Sequence, residues 1–146
     1  MSPVEASGSR WYRWDLHVHA PGTLLNDQCS GSGDEEKWDR WCRAIEACEE
    51  IVGLGVTEYF ILDTFERVLE QRRKGRLRNI RCLVANLEFR FDPPNDLDRA
   101  VQFHLLVDGA ALEDPTNLSR AKTDLAELKF LLKTRSSFPC SKEGLV

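Results

Sequence analysis

Three histidines carry most of the chemical information in this chain. His17 and His19 lie two residues apart at the close of a predicted strand that runs from Trp11 and ends in Asp15-Leu16-His17-Val18-His19. Side chains two apart on a strand share a face, so both imidazoles project together, with Asp15 on the same side. A neutral imidazole nitrogen is a good ligand for zinc, manganese or iron, and two at one strand end can grip a divalent cation. The structural alternative is a pair of half-exposed rings hydrogen-bonded to backbone. Two further predicted strands end in acids, Thr57-Glu58-Tyr59 and Asn86-Leu87-Glu88. A carboxylate at the mouth of an α/β fold can bind metal or act as a general base; a surface acid paired with Lys or Arg is the plain alternative. His104 lies inside the apolar run Val101-Gln102-Phe103-His104-Leu105-Leu106-Val107, where a buried ring must find a partner. Taken together, His17, His19, Glu88 and His104 form the expected metal-ligand set, with Glu58 and Asp15 as candidate catalytic acids or bases.

The elements that must position these groups follow from periodicity. Asp34 reads as a helix cap before Trp38, Trp41, Cys42, Ile45, Cys48 and Val52, which recur at helical spacing. Gly53 and Gly55 read as its stop, and Val56–Phe60 as a short strand. Asp63 caps a second helix through Phe65, Val68, Leu69 and Arg72 that ends at Gly75, although Asp63 could also orient a ligand. Ile80–Leu87 suits a strand covered on both faces. Asp92–Asp96 reads as a turn, and Leu118, Ala121, Leu125, Leu128 and Leu132 mark a third helix. The order β-α-β-α-β-β-α predicts an α/β domain with a mainly parallel sheet over residues 11–133. A loose N-terminus (1–10) and a flexible tail (134–146) flank it.

Composition bounds the function class. The 146 residues are 42% hydrophobic and 30% charged, as in ordinary globular domains. No apolar run is long enough for a membrane span and no apolar leader opens the chain, so the cytoplasm is expected. The net charge of −4 argues against a general electrostatic trap for nucleic acid. The basic cluster Arg72, Arg73, Lys74, Arg76, Arg78 and Arg81 reads as a solvated helix end and turn. Five cysteines without a C-x-x-C pair argue against a disulfide framework or zinc ribbon, and Cys42 and Cys48 read as small core residues. There is no phosphate loop and no G-x-G-x-x-G. Ser30-Gly31-Ser32-Gly33 reads as a flexible loop. Trp11, Trp14, Trp38 and Trp41 are expected to pack together.

With those residues in place, the chain resembles the PHP family, named for polymerase and histidinol phosphatase. The likeness lies in Asp15-Leu16-His17-Val18-His19, Gly55-Val56-Thr57-Glu58-Tyr59, Asn86-Leu87-Glu88 and the strand around His104. It covers about residues 11–110 and is greatest with the N-terminal PHP-like domain of large bacterial ATPases of the TrlF type. The resemblance implies a distorted β/α barrel that holds zinc, manganese or iron and hydrolyses phosphate esters, either nucleic-acid phosphodiesters or monoesters. Under it His17 and His19 match the first motif, Glu88 the third and His104 the next histidine motif. The second motif departs: Glu58-Tyr59 stands where the family shows Asp-His. The late Asp-x-His is absent, and the chain ends about halfway round such a barrel. An unfinished barrel exposes strand edges. The expectation is therefore an N-terminal part that associates with itself or with a partner chain, such as an ATPase. A non-catalytic module that docks or regulates such a partner is the main rival; an amidohydrolase-like metal enzyme is a third reading.

Overall fold

The computed structural model describes residues 11–24, 27–91, 101–131 and 137–139. The expected loose N-terminus and the Asp92–Asp96 turn lie outside them. Ten elements follow in order: β1 (Arg13–His19), α1 (Asp34–Glu46), β2 (Ile51–Tyr59), α2 (Asp63–Arg73), β3 (Cys82–Phe91), β4 (Val101–Asp108), α3 (Gly109–Leu112), α4 (Pro115–Glu127), β5 (Lys129–Leu131) and β6 (Ser137–Pro139). The strands β1-β2-β3-β4 form one sheet in that spatial order. β1, β2 and β3 run parallel, and β4 returns antiparallel to β3. The chain is thus mixed α/β with a mostly parallel sheet that is open, with β1 and β4 at its edges among the described residues.

Alternation along the strands separates two faces. Leu54 and Val56 of β2, and Leu83, Ala85 and Leu87 of β3, belong to one buried cluster. Trp38, Trp41 and Cys42 of α1, Phe65, Val68 and Leu69 of α2, and Leu118 and Leu125 of α4 complete it. All three long helices therefore cover the same side of the sheet. The apolar stripe of α2 is the one read from the sequence; that of α1 holds through Ile45, whereas Cys48 lies beyond the helix and Val52 belongs to β2. Acids crowd the first turn of α1 (Asp34, Glu35, Glu36) and favour its positive dipole end. Gly75, at φ +85°, takes the left-handed turn that ends α2. Asp114 accepts from the Thr116 amide and Pro115 opens α4.

Several expectations change. Gly53 and Gly55 do not stop α1, which ends at Glu46; they lie inside β2. The reason is the close approach of β1. A Cβ on Gly53 would meet the Trp14 ring at 2.7 Å, and one on Gly55 would meet the Leu16 backbone at 2.6 Å. Of the four tryptophans, only Trp38 and Trp41 pack together, at 5.6 Å between rings; Trp11 and Trp14 are 93% and 50% exposed. Arg76 is not a solvated charge. It grips Glu46 with two nitrogens at 2.9 Å and Asp39 with a third at 3.0 Å, tying the turn before β3 to α1. Within the expected flexible tail, Ser137–Pro139 pairs antiparallel with β5. Burial pushes the Cys42 thiol up to about 11, in keeping with a core role.

Gly55 has no room for a methyl group, because what it faces is backbone rather than a flexible side chain. Gly55→Ala should therefore lower stability by about 1–3 kcal/mol, measured by urea unfolding; an unchanged midpoint would show that β1 does not pack this closely on β2.

Candidate metal centre

The opposite face of the sheet, on which no helix packs among the described residues, carries the polar residues. His19 pairs with Thr57 and Thr57 with Asn86, a row across β1, β2 and β3; Tyr59 pairs with Glu88 and Glu88 with His104, the next row on the same face across β2, β3 and β4, both near the C-terminal ends of the parallel three. In β1 the pairing shifts: Asp15 faces Leu54 and Val18 faces Val56, three steps of β1 against two of β2. The extra residue makes a bulge at Leu16-His17, of the sort that re-aims a side chain. The Asp15 carboxylate holds the bulge by accepting from the His17 amide at 3.1 Å.

The bulge brings His17 to these rows. Its ring lies 5.1 Å from that of His19 and 5.2 Å from that of His104, and its Nε2 is 3.9 Å from Glu88 Oε2. One donor atom each of His17, His19 and Glu88 fall within 4.8 Å of one another. Two imidazoles and a carboxylate are a donor set that suits zinc, manganese or iron. Ligands about 2.0–2.1 Å from a tetrahedral ion stand about 3.3 Å apart, so side-chain rotations on the ångström scale close the set.

Two of the three donors, His19 and Glu88, are held from behind. His19 Nδ1 lies 3.2 Å from the Thr57 carbonyl oxygen. A carbonyl only accepts, so Nδ1 carries the proton and Nε2 keeps its lone pair, the usual arrangement behind a metal-ligating histidine. The His19 carbonyl accepts from Trp41 Nε1 at 2.9 Å, which anchors the strand end to α1. Tyr59 stacks on the His19 ring at 5.7 Å. Burial, and next the neighbouring His17, hold the His19 pKa below its ordinary value, so the ring stays neutral further into acid. Glu88 is only 2% exposed and accepts from Gln102 at 3.0 Å through Oε1, while Oε2 faces His17. His17 is the solvent-facing member, its side chain 52% exposed.

Not every expected residue joins this group. His104 sits beside it through its ring contact with His17 but outside the closely spaced trio, its Nδ1 2.9 Å from Asn86 Oδ1. Asp15 turns its carboxylate to the His17 amide and is a shaping residue for the bulge. Glu58 points to the helix-covered face, opposite Thr57 and Tyr59. It is 1% exposed and accepts from Thr64 Oγ1 at 2.7 Å, the Tyr59 amide at 3.0 Å and the Leu24 amide at 3.3 Å. Burial raises its pKa. It ties the loop after β1 to the start of α2, and the expected ligand or general-base role does not follow from this position. Asn86, Thr57 and Gln102 support the site without a role assigned from sequence, and Trp41, read as a core residue, also anchors His19. The signal for Asn86 was present, because an amide within an apolar strand needs partners.

No protein family, no characterised protein and no solved structure matches the chain.

Glu58→Ala would strand three donors around a buried site. It should cost about 2–3 kcal/mol of stability and leave zinc affinity unchanged by calorimetry. A large loss of affinity in a variant that stays folded would place Glu58 in the centre after all.

Proposed function

We propose that this chain is a divalent-metal-binding α/β domain serving phosphoester hydrolysis. The observation that carries this reading is the convergence of His17, His19 and the buried Glu88 on one open face. Gln102 donates to Glu88 Oε1, and Oε2 faces His17, where a divalent cation shared with the two imidazoles would sit. His17, His19 and Glu88 would hold the ion; zinc, manganese and iron all fit these donors. Such an ion would polarise phosphoryl oxygens and activate water at this rim. His104, one ring away from His17, is placed to accept a proton or to complete the coordination. On this reading the substrate is a phosphate ester on a nucleic acid or on a small molecule. The likeness to the PHP family supports this reading through these same residues, and the open sheet would correspond to the first strands of that distorted barrel.

The second reading is a metal-binding module without catalysis, docked to a partner such as an ATPase or to another copy along β1 or β4. Two observations favour it: Tyr59 occupies the place of an expected imidazole, and Glu58 faces away from the site.

Purified chain should bind about one equivalent of zinc or manganese by elemental analysis, and the His17→Ala/His19→Ala variant should bind none. Binding should be flat above about pH 7.5 and weaken as pH falls through the histidine range near 6.5, because protonated imidazole cannot ligate. Since the His19 pKa is lowered, its ring should stay neutral to a lower pH than a free imidazole. Metal-dependent cleavage of an aryl phosphate, DNA or RNA would support the hydrolase; metal binding without cleavage would support the module; no metal in the wild type would end both readings.

A further inference from the structure

We infer that Asn86 is a positioning residue for this centre, one buried amide that fixes both the aim of His17 and the tautomer of His104. The inference rests on the metal-binding reading for its effect on affinity. Asn86 lies on β3 and is almost fully buried. Its Nδ2 donates to the Leu16 carbonyl of β1 at 2.7 Å and to Thr57 Oγ1 of β2 at 3.1 Å. Its Oδ1 lies 2.9 Å from His104 Nδ1 of β4. One side chain thus links all four strands of the sheet.

The Leu16 carbonyl can only accept, so it fixes which end of the amide faces β1. The amide oxygen is thereby left for His104, whose Nδ1 must donate. In the neutral His104 ring the proton then sits on Nδ1, and Nε2 keeps the lone pair. A second-layer amide here does for His104 what the Thr57 carbonyl does for His19. At its other end, Asn86 reaches β1 across β2. That span is open because Gly55 has no side chain where the Leu16 backbone passes. Leu16 is half of the bulge, so the bond to its carbonyl restrains the turn that delivers His17 to Glu88. Replacing the amide would release both features at once.

The test uses the metal-free and zinc-loaded full chain. Long-range proton–nitrogen NMR on metal-free wild type should show His104 with its proton on Nδ1. Asn86→Leu, close in size, should lose that preference, whereas Asn86→Asp, which still accepts, should retain it. Zinc affinity at pH 8 should fall about 10–100-fold in Asn86→Leu, the range typical of lost second-layer partners. A wild-type His104 protonated on Nε2 would overturn the inference without any variant needing to fold. So would an Asn86→Leu chain with wild-type tautomer and affinity. Wild type that binds no zinc overturns the metal reading instead, and the tautomer comparison then decides the role of Asn86 by itself.

Discussion

If β1 slipped by one residue against β2, His19 would swing from the open face to the helix-covered face and Val18 would leave the core. Side chains alternate strictly along a strand, so register and the identity of the exposed face are one constraint. The pairing of Val18 with Val56 and of His19 with Thr57 fixes that register. Val18 packs on the apolar cluster while His19 reaches the polar row. The hydrophobic drive that buries one residue therefore exposes the other. The bulge just before them then adds one residue, which lets His17 as well as His19 meet Glu88.

The two faces differ in what they contribute. The helix side holds Trp38, Phe65, Leu54 and Leu62 in nearly complete burial, and truncating one large side chain in such a core costs about 3–5 kcal/mol. Individual hydrogen bonds on the open face are worth nearer 1 kcal/mol each. The larger share of stability thus comes from the helix layer. The Arg76–Glu46–Asp39 and Lys122–Asp63–Glu66 clusters join helices to their neighbours on that same stable side. They are partly exposed, so each adds little beyond orientation.

Much of this was legible from residue order. The alternation of strand and helix, the apolar stripe of α1 and the glycine end of α2 follow from local periodicity and turn chemistry. So does the common face of His17 and His19. Their meeting with Glu88 required that three strands lie side by side and that β1 bulge at Leu16-His17, which residue order does not show. The glycines of β2 misled, because a glycine that stops a helix and one that admits a neighbouring strand look alike in sequence. Glu58 misled for a related reason: the period of two that puts Thr57 and Tyr59 on the site face turns Glu58 away, and only pairing with β3 shows which face is which. The bridging role of Asn86 was hidden because its partners are 70, 29 and 18 residues away.

The metal-binding function rests on a single cation held by imidazoles from the bulged end of β1. X-ray absorption at the zinc edge of the loaded chain measures this directly. The predicted spectrum contains scattering from two imidazoles and at least one oxygen donor, and it loses the imidazole signal in the His17→Ala/His19→Ala chain. A zinc shell of oxygens alone, unchanged by that double substitution, would contradict it.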